Sequence, residues 1–317
     1  MSPNSWICLH PSNATQTTVS LDNRGLAYGD GFFTTMGVID GQILWLDYHQ
    51  QRLVSHAVAL QLQLDSQLLL AMLKIHAKQL QQGMLKLIIT RAEQEVRGYG
   101  YTPNTGGGSA CEIWLKSSPM AITTARSLPL ADGQFIPLQP AASAICLSSQ
   151  IACLPPTLAG LKSLNRLDNV LASGELQAIK AKTLAGTIKP SIAEGLLRDM
   201  SGQWVEGTMS NVFYQLVEAP VAKSSNRPHS QNNSNSNYLT QGQWYTPSMA
   251  QSGVAGVMRQ VIIDTLSTSN NPVIIRSLQD EDLLHLSQLF FCNALRGIMP
   301  MSSLRLLSGE VVSFEAI

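Results

Sequence analysis

The chain has 317 residues, of which 44% are hydrophobic and 13% charged, with 21 basic residues balancing 21 acidic ones. So low a charged fraction excludes an intrinsically disordered chain, and the balance of charge excludes a global field for nucleic acid or an anionic membrane. The length fits two domains, each able to bury a core.

Five cysteines, none in a CxxC pair, argue for reduced intracellular thiols rather than a disulfide framework or a structural zinc site. The first residues, MSPNSWICLHPSNATQ, lack a basic stretch followed by an apolar one, so no signal peptide is expected. No run reaches the roughly 18–20 apolar residues of a membrane span. A cytoplasmic protein is expected, with no bound metal and no membrane or nucleic-acid partner.

In chain order, LDNRGLAYGDGFFTTMGVIDGQILWL (21–46) predicts a Gly-rich turn and then a hairpin about its DG. From Asp47, Leu53, Ala57 and Leu60 recur near helical spacing. A second helix is expected from Asp65 to Gln82, ended by Gly83. MLKLIITR (84–91) and ACEIWLKSS (110–118) read as strands. Three prolines and a DG turn place an interdomain connection in 125–142, giving an N-terminal domain at 1–130 and a C-terminal one at 131–317. The second half then predicts a strand at SAICLSS and a helix from about Arg166 to Lys182. Strands follow at IAEGLLRD, QWVEG and NVFYQLV. After a helix from about Gly256 come a strand at PVIIRSL, a short helix and a strand at QLFFCN. The polar, low-complexity 222–241 segment has little apolar surface to offset ordering and is expected to be a mobile loop. Hairpins in both halves favour α+β over a doubly wound parallel sheet.

Four segments carry candidate chemistry. In LAGLKSLNRLDNVLAS (158–173), Lys162 stands among small and apolar residues ahead of a helix. A desolvated lysine loses its charge more readily and can then form a Schiff base with a carbonyl, although such a lysine more often snorkels to solvent. In QSGVAGVMRQ (251–260), Gly253 and Gly256 precede a helix whose free amides suit a phosphate. The segment is neither a Walker loop nor a dinucleotide fingerprint, and it equally suits a plain cap. In WVEGTMSNVF, Glu206 ends a strand at a tight turn, either exposed in a hairpin or aimed at a cationic ring nitrogen. In LFFCNALRGIMPM, Asn293 and Ala294 end a strand where a ligand could lie. His49 and His56, seven residues apart on one helix, are too widely spaced for one metal and read as structural.

Together DNRGLAYGDGFFTT, HQQRL, LAGLKSLNRLDNVL, VEGTMSN, SGVAGVMRQ and FFCNALRGIMP resemble, in order, the fold-type IV pyridoxal-phosphate enzymes. Within that family they are most similar to the 4-amino-4-deoxychorismate lyases. Leu167 stands where a branched-chain aminotransferase usually has a tyrosine, and Gly37 stands where members commonly carry a basic residue. The resemblance implies a two-domain α+β fold, with a small N-terminal α/β domain and a larger C-terminal domain built on a sheet-rich, barrel-like core. It implies a homodimer, pyridoxal 5'-phosphate as cofactor, and conversion of 4-amino-4-deoxychorismate to 4-aminobenzoate and pyruvate in folate biosynthesis. It assigns Lys162 as the Schiff-base lysine and catalytic base, and Glu206 to the pyridine nitrogen. It gives the phosphate to Arg52, the amides of Val254, Ala255 and Gly256, and Asn293 with Ala294; it gives a substrate carboxylate to Arg97. An aminotransferase of D-amino-acid or branched-chain type, or a non-catalytic cofactor-binding protein, would share the cofactor residues.

Overall fold

The computed structural model describes residues 6–10, 18–103, 108, 110–122, 126–130, 135–184, 192–217, 239 and 242–314. Five antiparallel strands form the first sheet: β1 (Trp6–His10), β2 (Gly31–Ile39), β3 (Gln42–Ile43), β4 (Gly83–Arg91) and β5 (Cys111–Pro119), in the order β1-β5-β4-β2-β3. The short α1 (Arg24–Tyr28) precedes β2, and α2 (Leu46–Ala59) and α3 (Ser66–Leu80) lie between β3 and β4. The Asp65 carboxylate caps α3 by accepting from the Leu68 amide, which relieves one orphan donor.

A strand sends alternate side chains to opposite faces. Phe32, Met36 and Val38 of β2 are fully buried and share a core with Leu53 of α2 and with Leu69 and Leu73 of α3. Burying one such side chain contributes about 1.5–3 kcal/mol. The intervening residues Phe33, Thr35 and Gly37 face the other way, with Ile88, Lys86 and Met84 of β4 opposite them. That second face carries the site.

The remaining strands belong to one eleven-stranded sheet. They are β6 (Arg126–Pro129), β7 (Phe135–Leu138), β8 (Ala142–Ile151), β9 (Ile192–Asp199), β10 (Trp204–Gly207), β11 (Asn211–Leu216), β12 (Tyr245–Thr246), β13 (Ile274–Ile275), β14 (Leu286–Asn293), β15 (Gly297–Arg305) and β16 (Val311–Ser313). Six of them close a ring: β8 pairs β9, then β10, β11, β14 and β15 follow in turn, and β15 returns to β8. The barrel-like core expected from the family resemblance is therefore present. Helix α4 (Leu167–Leu184) packs on β8 and β9, and α5 (Val257–Leu266) packs on β14. Along β11, Val212 and Tyr214 enter one hydrophobic cluster, while Phe213 enters the cluster shared with Val257, Met258, Val261 and Ile262 of α5.

Two expectations change. The proline-rich 125–142 stretch is not simply a connector: β6 and β7 pair with each other, and β7 pairs with β15. The passage between sheets falls between Pro119 and Arg126, so residues 126–129 join the second sheet. Pro129 is tolerated because β6 is an edge strand. The strand expected at PVIIRSL shrinks to Ile274–Ile275, since its partner β12 offers only Tyr245 and Thr246. The Arg276 amide makes the last bond to β12, at the Thr246 carbonyl, and its side chain pairs with Asp282. The 222–241 segment lies outside the described residues apart from Leu239. No helix among the described residues is long and apolar enough to cross a membrane.

Candidate active site

Strand β3 covers only Val38 and Ile39 of β2, which leaves the edge near Gly31 unpaired. The lysine segment takes that edge. The Phe33 amide donates to the Lys162 carbonyl at 3.0 Å, and the Leu164 amide donates to the Gly31 carbonyl at 3.0 Å. On its other side, the Gly160 carbonyl accepts from the Ala255 amide at 2.9 Å. The Lys162 amide donates to His56 Nε2 at 2.9 Å. The Lys162 segment is thus fixed through its backbone to β2, to the turn before α5 and to α2, while the Lys162 ammonium lies over the Phe33 ring, 4.6 Å from the centroid. Burial, assisted by the Arg52 charge and opposed by Glu206, pushes its pKa down to about 8. His56, desolvated and close to Arg52, is pushed down to about 3, so it serves as a neutral acceptor.

Glu206 is 3% exposed. Its Oε2 accepts from the Val254 amide at 2.8 Å, and its Oε1 from Asn169 Nδ2 at 3.4 Å. Burial raises its pKa, which the Val254 hydrogen bond and the Arg166 and Lys162 charges resist. Gly253 makes this bond possible: it has φ +76°, and a Cβ there would stand 3.0 Å from Glu206 Oε2. Asn211 Nδ2 donates to the Val254 carbonyl at 2.8 Å and fixes the turn from β11.

Of the three amides that the resemblance gives to a phosphate, two have internal partners. The Val254 and Ala255 amides are already bonded, to Glu206 and Gly160 respectively, so Gly256 and the first turn of α5 are left to offer donors. Gly256 caps α5 without a side-chain hydrogen bond. Arg52, also buried, donates from Nη2 to the Ala255 carbonyl at 2.6 Å, which sets its guanidinium beside that helix start. Two positive features therefore converge. Asn293 spends its side chain on its own turn: Oδ1 accepts from the Leu295 and Arg296 amides, and Nδ2 donates to the Met209 carbonyl. Ala294 packs against the α5 cluster. Arg97 is exposed on the loop after β4; the same loop is held to α1 by Arg24, which donates to the Gly98 and Tyr99 carbonyls. Leu44, Ile122 and Leu295 surround the Cβ position of Gly37 at 3.1–3.6 Å, so an apolar wall replaces the usual basic side chain.

A family model described as "Amino-transferase class IV" matches residues 31–304. The chain belongs to that family. Aminodeoxychorismate lyase of Vibrio harveyi is 24% identical over 290 residues, 91% of this chain and 88% of the relative. The crystal structure of 4-amino-4-deoxychorismate lyase from Pseudomonas aeruginosa aligns with a TM-score of 0.69 at 29% identity, covering 94% of this chain and 90% of that one. The branched-chain amino acid aminotransferase from Escherichia coli shares the fold, with a TM-score of 0.61 at 17% identity over 90% of this chain and 80% of that one.

Class IV amino-transferases use pyridoxal 5'-phosphate, and the residues here fit it. A desolvated amine, a buried carboxylate and an arginine at an uncapped helix start answer its aldehyde, ring nitrogen and phosphate. Sequence reasoning missed Asn169 and Asn211, which orient Glu206 and the 253–256 turn, and read His56 as merely structural. Asn169 lies seven residues after Lys162, on the first turn of α4, but its contact with Glu206 depends on how that helix meets β10. No local pattern records that meeting.

Proposed function

We propose that this enzyme is a pyridoxal-phosphate-dependent lyase that converts 4-amino-4-deoxychorismate to 4-aminobenzoate and pyruvate. The observation carrying the reading is the likeness to aminodeoxychorismate lyases over about nine-tenths of both chains. Leu167 is 78% exposed at the position where a branched-chain aminotransferase usually carries a tyrosine, which favours the lyase over that alternative.

When bound, pyridoxal phosphate supplies an electron sink for the pair left behind by a departing proton. Lys162 Nζ, neutral in a good fraction of molecules near pH 8, takes that proton from the ring carbon bearing the substrate's amine. Glu206 would hold the proton of the bound cofactor's ring nitrogen and so keep the sink effective. Arg52 and the Gly256 end of α5 hold the phosphate and so fix the substrate relative to Lys162. As the carbon–oxygen bond to the enolpyruvyl group breaks, the six-membered ring becomes aromatic, and Lys162 can return the proton to the departing enolpyruvyl carbon. A base so placed is worth about two to four orders of magnitude in rate.

The test compares two mixtures. Purified enzyme with 4-amino-4-deoxychorismate is expected to give 4-aminobenzoate and pyruvate in equal amounts. With a D- or branched-chain amino acid and 2-oxoglutarate it is expected to give little glutamate. The reverse outcome identifies an aminotransferase.

A further inference from the structure

The sheet face turned toward Lys162 carries two cations, and Glu112, the carboxylate that shares this face two pairs away on β5, is bonded to Asn23 and Trp114 rather than to either of them. Lys86 and Lys116 stand directly opposite each other on β4 and β5, and Thr35 stands opposite Lys86 on β2. The three side chains form one row on one face, and all three are partly buried. Neither lysine has an ion-pair or hydrogen-bond partner among the described residues. The Lys86 ammonium lies 5.6 Å from the centroid of the Phe33 ring, the same ring that carries the Lys162 ammonium at 4.6 Å. Like charges directly opposite weaken a sheet, so this row is held against the interest of the fold. One pair further along β2, Gly37 is enclosed by Leu44, Ile122 and Leu295, and no cation can act from there.

We propose that Lys86 and Lys116, with the Thr35 hydroxyl, seat a carboxylate of the substrate and thereby fix which end of the molecule lies away from Lys162. The proposal rests on the reading above, in which the site acts on a carboxylate-bearing amine. An anion between the two ammonium groups converts their repulsion into two charge-assisted contacts.

Holoenzyme is titrated with 4-aminobenzoate and with aniline, which differ by the carboxylate, and binding is read from the cofactor absorbance. Wild type is expected to bind 4-aminobenzoate at least tenfold more tightly than aniline. Lys86→Met and Lys116→Met are each expected to lose about tenfold or more for 4-aminobenzoate with aniline unchanged, and Lys86→Arg to restore it. Without ligand, both methionine variants are expected to melt no lower than wild type, because a repulsion has gone; a purely structural role would lower the melting temperature. The seat is refuted if wild type does not prefer 4-aminobenzoate, if that preference survives both substitutions, or if the variants lose both probes equally. If the lysine-dependent preference holds while 4-amino-4-deoxychorismate is not turned over, the lyase reading fails and the seat stands. If turnover occurs but the preference survives, the seat fails alone.

Discussion

Lys162 is tuned by its neighbours more than by its own segment. Burial and the Arg52 charge favour the neutral amine, and Glu206 favours the ammonium. Apo-protein is therefore expected to take up cofactor at a rate that rises with pH about a midpoint near 8, because only the neutral amine attacks an aldehyde. Glu206→Gln is expected to move that midpoint lower, by removing the charge that retains the proton. Lys162→Ala is expected to give no borohydride-reducible link to cofactor. Uptake by wild type with a midpoint at 10 or above contradicts the desolvation argument. The same shift has a stability consequence: the folded pKa lies below the unfolded value of 10.5, so the penalty for burying the ammonium is relieved as pH rises from about 8 toward 10.5.

At the level of elements, the site is a junction of three backbones: β2, the lysine segment and the turn into α5. Glycines make the junction close enough. Gly256 has φ −70°, which alanine adopts freely, yet a Cβ there would fall 1.9 Å from Asn211 Oδ1. Gly256→Ala is thus a steric test rather than a backbone one. It is expected to cost about 1–3 kcal/mol of stability and to weaken cofactor binding, as measured by thermal melting and cofactor titration. Adding Asn211→Ala is expected to recover part of the loss, a non-additivity typical of contacting residues. Motifs marked the lysine, the glutamate and the glycines because each is a local departure: an amine among apolar residues, a carboxylate at a strand end, two glycines before a helix. Asn169, Asn211 and His56 carry no such mark, since what they do depends on a carboxylate, a carbonyl and an amide 37 to 106 residues away.

For the whole molecule, α4 presents Leu167, Val170 and Leu171 to solvent at 78%, 61% and 70% exposure. Their i, i+3, i+4 spacing makes one apolar strip, and such strips on a well-packed protein mark association. A homodimer covering this strip is the expected assembly. Leu171→Glu is expected to shift the mass measured by light scattering toward the monomer, at least tenfold in dissociation constant, while a wild-type protein that is monomeric at all concentrations refutes the assignment.

The sequence by itself determined the class of fold, the periodicity of α2, α3 and α5, most strands, and the short list of residues able to do amine and carboxylate chemistry. These follow from local rules: helical and alternating spacing, turn residues, and the rarity of charge in this chain. Tertiary structure alone decided the rest. It closed six strands into a ring, drew β6 and β7 of the 125–142 stretch onto the second sheet, committed two of three expected amides to internal bonds, and set Lys86 against Lys116. Each depends on which strand edge remained unpaired and which groups lost water together, and burial and pairing are properties of the assembled molecule rather than of any stretch of chain.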